Sequence, residues 1–247
     1  GGGGGGEGKG KGGGERGEGG EGGGVVVLDA FCGCGGNGIA FALRPPGEVA
    51  LVVCVDLDRS KLEMAAANAA IYGVGGDRIV FVEGDAVAVM EGYHAADGRR
   101  PVKGPPAPGV GGSAERVAGG YRMGGPDLLP PLIDAVFLSP PWGGTDYRSA
   151  GKKGYDIERC IRLPQAAGGG GDGGRVVNGA ELLSIAGRAS AGGIVAYFLP
   201  RNTNLVSLGQ AARRAGYCGS IELEQNFLNG KFKTTTAFLS GRESSQK

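Results

Sequence analysis

Three apolar runs, at residues 25–28, 49–55 and 78–82, each lead into an aspartate: Asp29, Asp56 and, two residues further on, Asp85. The runs are dominated by Val, Ile and Leu and show no polar alternation. That pattern belongs to strands covered on both faces, as in the middle of a parallel sheet. Parallel neighbours require a crossover between them, and the intervening sequence supplies helices. Residues 37–43 read as one, stopped by Pro45 and Pro46. Residues 59–72, rich in Ala, Leu and Met, read as another, closed by Gly73. Further strands are expected at 133–138 and 193–199, the latter ended by Pro200, and helices at 179–189 and 205–215. Two last strands, 220–227 and 232–239, flank Asn229-Gly230, a hairpin turn signal. Strand–helix alternation finished by a hairpin predicts an α/β, doubly wound sheet with one antiparallel strand inserted at the end.

Glycine decides how much of the chain takes part. Of 247 residues 55 are glycine, and residues 1–24 contain only Gly, Glu, Lys and Arg. A segment with nothing apolar to bury cannot offset its ordering entropy, so a disordered tail is expected there. Low-complexity insertions are expected at about 92–131 and 166–175, where periodicity is lost, and a short C-terminal tail at 241–247. One domain over 25–240 remains, with a core of roughly 180 residues, ample for a single fold.

A formal charge of +1 gives no basic face of the kind that binds long duplexes, so no DNA partner is expected and any RNA contact should be local. The five cysteines form no pair of CxxC motifs, and the single histidine, His94, lies in a stretch without pattern. No metal site and no histidine base are expected, and the cysteines read as reduced and buried in an intracellular protein. No apolar run reaches the roughly 20 residues that span a bilayer, so no membrane association is expected.

Residues 29–38, DAFCGCGGNG, join the first strand to the first helix. Gly33 and Gly35 allow a tight turn and close approach of a ligand to the backbone. Asp56, about 20 residues on at the end of the second strand, suits a ribose diol, and Asp85 suits the amine of an adenine. Asp29 inside the loop would repel a pyrophosphate and attract an ammonium, which favours S-adenosylmethionine over a dinucleotide. The fourth strand runs into Ser139-Pro140-Pro141-Trp142, close to the Asn/Asp-Pro-Pro-aromatic pattern of enzymes that methylate exocyclic amines. Prolines fix the backbone so that a carbonyl and the preceding side chain can both accept from an NH₂ group. Trp142, the only tryptophan in the chain, can stack on the base, and tryptophan is the best partner for a cationic ring. An amine methyltransferase of ribosomal RNA, and a binding protein without turnover, are compatible with the same motif.

Four segments carry a more specific likeness: DAFCGCGGN at 29–37, FLSPPWGGTDY at 137–147, YFLPRN at 197–202 and EQNFLNGKFKT at 224–234. In this order they resemble the motifs of the trimethylguanosine synthase family, over most of residues 25–239 outside the insertions. The resemblance implies a class I S-adenosylmethionine-dependent methyltransferase with a Rossmann-like, seven-stranded sheet and terminal antiparallel hairpin. It implies N2 methylation of 7-methylguanosine caps on small nuclear and nucleolar RNAs (snRNA, snoRNA), in the nucleus (nucleolus or Cajal body) and in part the cytoplasm. Ser139 and Pro140 would flank the accepting nitrogen, Trp142 would stack on the cap base, and Asp56 and Asp85 would hold the cofactor. Arg201 would contact cap phosphates. Family members carry a helical extension before the first strand, where this sequence has its glycine tail; protein partners are not implied.

Overall fold

A computed structural model describes residues 23–93, 115–143, 147, 151, 154–165 and 174–243. The expected tail at 1–24 falls outside it but for Gly23 and Gly24, as do His94, the middle of the first insertion and nearly all of the second.

In chain order the described elements are β1 (Val25–Asp29), α1 (Gly36–Ala42), β2 (Val49–Asp56), α2 (Arg59–Ile71), β3 (Ile79–Glu83) and α3 (Ala86–Glu91). Then come β4 (Glu115–Arg116), β5 (Arg122–Gly124), β6 (Ala135–Leu138), α4 (Ile157–Cys160), β7 (Arg162–Pro164) and β8 (Val176–Asn178). The last are α5 (Gly179–Ala189), β9 (Ile194–Pro200), α6 (Leu205–Arg214), β10 (Glu222–Leu228) and β11 (Lys231–Leu239).

The main sheet runs β10-β11-β9-β6-β1-β2-β3-β5-β4. From β9 to β5 all neighbours are parallel, while β11 is antiparallel to β9 and β10 to β11. Seven of these strands are those expected from the sequence. The sheet has nine because residues 115–124, inside the supposed insertion, add β5 beside β3 and β4 beyond it. This stretch is part of the core: Tyr121 and Met123 are buried, and the Tyr121 hydroxyl donates to the Val74 carbonyl at 2.7 Å. The expected tail also begins later than 241, because the Arg242 guanidinium donates to the Ala215 carbonyl at 2.8 Å and Glu243 N–H to the Gly216 carbonyl.

Each face of the sheet buries its own core. Val27, Val52, Cys54, Ile79 and Phe81 pack under Ile39, Leu62, Ala65 and Ala69 of α1 and α2. Leu28, Val53, Val80, Val136, Val195 and Tyr197 face α3, α5 and α6 on the other side. A fully buried Val or Leu contributes about 1.5–3 kcal/mol, so the double-sided burial of β1, β2, β3 and β6 explains their continuous apolar sequence. Side-chain oxygens close the helix starts: Asp58 for α2, Asp85 for α3, Asp156 for α4, Asn178 for α5 and Asn204 for α6. Among the described α-helices, α1 alone begins without such a cap, at Gly35. Asn229 and Gly230, with φ of 51° and 69°, make the tight turn between β10 and β11.

Candidate active site

Every parallel strand ends at the same edge of the sheet, and there the β1–α1 loop is tied down from three sides. Ala30 N–H donates to the Phe137 carbonyl of β6 at 3.0 Å and Cys32 N–H to the Val55 carbonyl of β2 at 2.9 Å. The Asn68 amide of α2 donates to the Cys34 carbonyl at 3.0 Å. Gly35 sits at φ +87°, and a Cβ there would lie 2.9 Å from that of Ala65, so the loop cannot rest on α2 with any larger residue. Gly33, at φ +53°, faces open space: a Cβ there would meet no protein atom within 4 Å.

Over this loop lies a cavity of about 550 Å³. Gly33, Asp56, Asp85, Ser139 and Pro141 line it, drawn from the ends of β1, β2, β3 and β6. Asp56 holds the loop in place, one carboxylate oxygen accepting from Gly33 N–H and the other from Asp58 N–H, both at 2.9 Å. Asp85 caps α3 through Oδ1, accepting from Val87 N–H at 2.8 Å. The Ser139 hydroxyl donates to the Phe31 carbonyl at 3.0 Å, joining the end of β6 to the loop.

Asp29 is placed differently from the expectation. It is fully buried, it is absent from the cavity wall, and neither carboxylate oxygen has a hydrogen-bond partner. Burial pushes its carboxyl up to about 7, with the nearby Asp56 charge adding to the rise; the Gly38 and Phe31 backbone groups oppose it without reaching bonding geometry. The carboxylate therefore lies behind the loop, next to α1, rather than facing a ligand. The reason is register: Asp29 pairs with Cys54 and Phe137 inside the sheet, so it points with them into the α1–α2 core.

Trp142 is half-buried and does not line this cavity either. Its indole N–H donates to the Phe198 carbonyl at 3.2 Å, and its ring centroid lies 5.4 Å from that of Phe198 and 5.9 Å from that of Tyr147. Arg201 lies apart from the first cavity, on the wall of a second, larger one just past β9, where Tyr147 also sits. Thus Gly33, Asp56, Asp85 and Ser139 share one cavity; Trp142 stands between it and the Arg201 cavity through Pro141 and Tyr147.

The sequence reading missed several lining residues. Leu57, 68 % exposed beside Asp56, offers an apolar platform, and a large exposed aliphatic directly after a strand-end aspartate was a usable signal. Lys61 and residues 162–165, including β7, also line the cavity, and nothing local to their sequence announces it.

S-adenosylmethionine fits this wall. The cavity beside Gly33 has the space that a side chain would take, and its three carboxylates, Asp56, Asp58 and Asp85, outnumber the cations Lys61 and Arg162, which favours a ligand that carries positive charge. Among the described residues, no three His, Cys, Asp or Glu side chains gather as a metal site would need.

The chain is similar to known proteins in sequence and in fold. A trimethylguanosine synthase from Schizosaccharomyces pombe is 30% identical over 181 residues, covering 73% of this chain and 52% of that protein. A trimethylguanosine synthase from Saccharomyces cerevisiae is 27% identical over 210 residues, covering 83% of this chain and 49% of that protein. The chain thus spans about half the length of these curated relatives. Among solved structures, an S-adenosylmethionine-dependent methyltransferase from Agrobacterium tumefaciens superposes with a TM-score of 0.50 at 13% identity, over 88% of this chain and 56% of that one, a likeness of fold. The model of one family, RNA cap guanine-N2 methyltransferase, matches residues 24–242, and the chain belongs to that family.

Proposed function

We propose that this chain methylates the exocyclic N2 amine of 7-methylguanosine caps on RNA, using S-adenosylmethionine and yielding the 2,2,7-trimethylated cap. Its targets are small nuclear and nucleolar RNAs, and its place of action is the nucleus. One observation carries the reading: Ser139 lines the carboxylate-walled cavity, and three residues on Trp142 holds a half-exposed indole at the same sheet edge.

When bound, S-adenosylmethionine supplies a methyl group on a positively charged sulfur. Asp56 and Asp85 hold the ribose and adenine ends, and Leu57 gives the purine an apolar bed. Because the Ser139 hydroxyl spends its proton on the Phe31 carbonyl, its lone pairs are left to accept from the substrate amine. Pro140, expected as a second acceptor, is buried and absent from the cavity wall, so Ser139 is the group that aims the nitrogen lone pair at the methyl carbon. The amine would take the methyl group as the cofactor leaves as its neutral thioether, and the amine proton would pass to water. Catalysis by positioning of this kind supplies several kcal/mol. Trp142 takes the cationic 7-methylguanine on its ring face, held in orientation by its bond to Phe198.

The test is mass spectrometry after incubating the chain with S-adenosylmethionine and either 7-methylguanosine diphosphate or GDP. One or two added methyl groups on the first and none on the second are expected. Equal methylation of both removes the cationic-base argument, and methylation of neither removes the activity.

A further inference from the structure

The two cavities differ in chemistry. The first carries three carboxylates, Asp56, Asp58 and Asp85, against two cations, Lys61 and Arg162, whereas among the described residues lining the second, of about 940 Å³, Arg201 alone carries charge. The net charge of the lining is thus negative in the first and positive in the second, which favours a phosphate in the second. Arg201 donates to the Phe232 carbonyl at 3.4 Å and has no carboxylate partner among the described residues, so its charge is available to an anion. Beside Arg201 the wall comes from the β10–β11 hairpin: Leu223, Gln225, Phe232 and Thr235. Leu223 is 43 % exposed. A flat ring between such apolar surfaces, with an amide at its edge, is the environment that single-stranded bases occupy on proteins.

An independent sign of a missing ligand comes from Asn202. Its side chain is only 7 % exposed, and its amide NH₂ is fixed by donating to the Tyr147 and Gly151 carbonyls at 2.8 and 2.9 Å. That leaves Oδ1 as a buried acceptor without a donor, on a residue lining this cavity. An unmade bond of this sort is costly and calls for a partner. A ribose hydroxyl or a base amine would supply one.

We infer that the second cavity seats the nucleotide that follows the cap, its phosphate on Arg201 and its base against Phe232 and Leu223. The inference rests on the cap reading, since Trp142 reaches this cavity through Tyr147. The enzyme then recognises a capped RNA end as two adjacent seats, and 7-methylguanosine diphosphate alone fills one.

The experiment compares the full 247-residue chain on 7-methylguanosine diphosphate and on a 7-methylguanosine-capped dinucleotide, reading both affinity and kcat/KM. The ratio between the two substrates is then repeated in Phe232→Ala and, as a surface change that spares folding, Leu223→Ala. A preference for the dinucleotide of about 5- to 100-fold is expected, the range typical of one stacked base, with the ratio falling toward one in both variants. A wild-type ratio of one, as a groove serving a protein partner would give, overturns the second seat, and so does a preference that survives both substitutions. Tighter dinucleotide binding without any methyl transfer would sink the activity and keep the seat. Transfer to the diphosphate with no gain from the added nucleotide would do the reverse, and failure of both binding and transfer would end both.

Discussion

At the residue scale the sharpest contrast is between two aspartates at neighbouring strand ends. Asp56 satisfies its oxygens with the Gly33 and Asp58 N–H groups, while Asp29 satisfies neither and is held protonated to about pH 7 by burial. An unfolded chain releases that proton near the ordinary value of 3.8. The native state therefore binds a proton that the unfolded state has lost between these two values, and stability falls as pH rises through that window. Its contribution is complete below 3.8 and gone above about 7; the upper limit is roughly 4 kcal/mol. Asp29→Asn is expected to flatten this part of the curve and to be the more stable protein at about pH 8, read from urea melts across the range. The same slope in wild type and variant would show that Asp29 is not the titrating group. Trp142 poses a different question, because the indole donates one hydrogen bond and also presents a ring. Trp142→Phe keeps a ring and loses the bond; Trp142→Ala loses both. Loss of roughly 1–3 kcal/mol in affinity for 7-methylguanosine diphosphate is expected for Ala, with a smaller loss for Phe. Equal affinities in all three proteins would remove Trp142 from the cap site.

At the scale of elements, Asp85 belongs to both α3 and the cavity, and the two duties separate by substitution. Asn caps a helix as well as Asp does, whereas Ala costs about 1 kcal/mol. Asp85→Ala is therefore expected to lower Tm by about 2–4 °C and Asp85→Asn hardly at all, while both weaken S-adenosylmethionine binding in calorimetry. If Asp85→Asn binds as wild type does, the carboxylate is a cap and nothing more. The sequence announced the long elements well, α5 to the residue, because their burial pattern is written along the chain itself. It did not announce α3, whose Ala86, Val87, Val89 and Met90 are all buried and so leave no polar face to mark a period. Strands β4, β5, β7 and β8 have two or three residues each, too short for alternation to register. β5 and β4 extend the open edge of β3, and β7 and β8 pair with each other as a separate ribbon. The site followed the same rule. Asp56, Asp85 and Ser139 are visible in the sequence as residues ending strands, but residues 162–165 reach the cavity only through tertiary contact, and Asp29 is the last residue of β1 rather than the first of the loop, so the strand turns it into the core.

For the molecule as a whole, charge is local where it matters and nearly absent in sum. A chain with 26 basic and 25 acidic residues has little long-range attraction for RNA, yet its second cavity carries Arg201, and exposed Lys231 and Lys233 stand on the adjoining strand β11. Recognition that depends on the cap and the next nucleotide touches few phosphates, and each neutralised phosphate on a single strand contributes about −0.7 to the slope of log K against log salt. Two or so such contacts give a slope of about −1 to −2, a loss of about 4- to 16-fold in affinity between roughly 50 and 200 mM salt. A protein tracking the RNA body through many phosphates would lose a factor of a thousand or more over the same range. Titrating a capped oligonucleotide of about ten residues across that series decides between them, with Arg201→Gln expected to make the slope shallower by about 0.7. A steep slope that Arg201→Gln leaves unchanged would place the RNA contacts elsewhere on the chain and detach the second cavity from capped-end recognition.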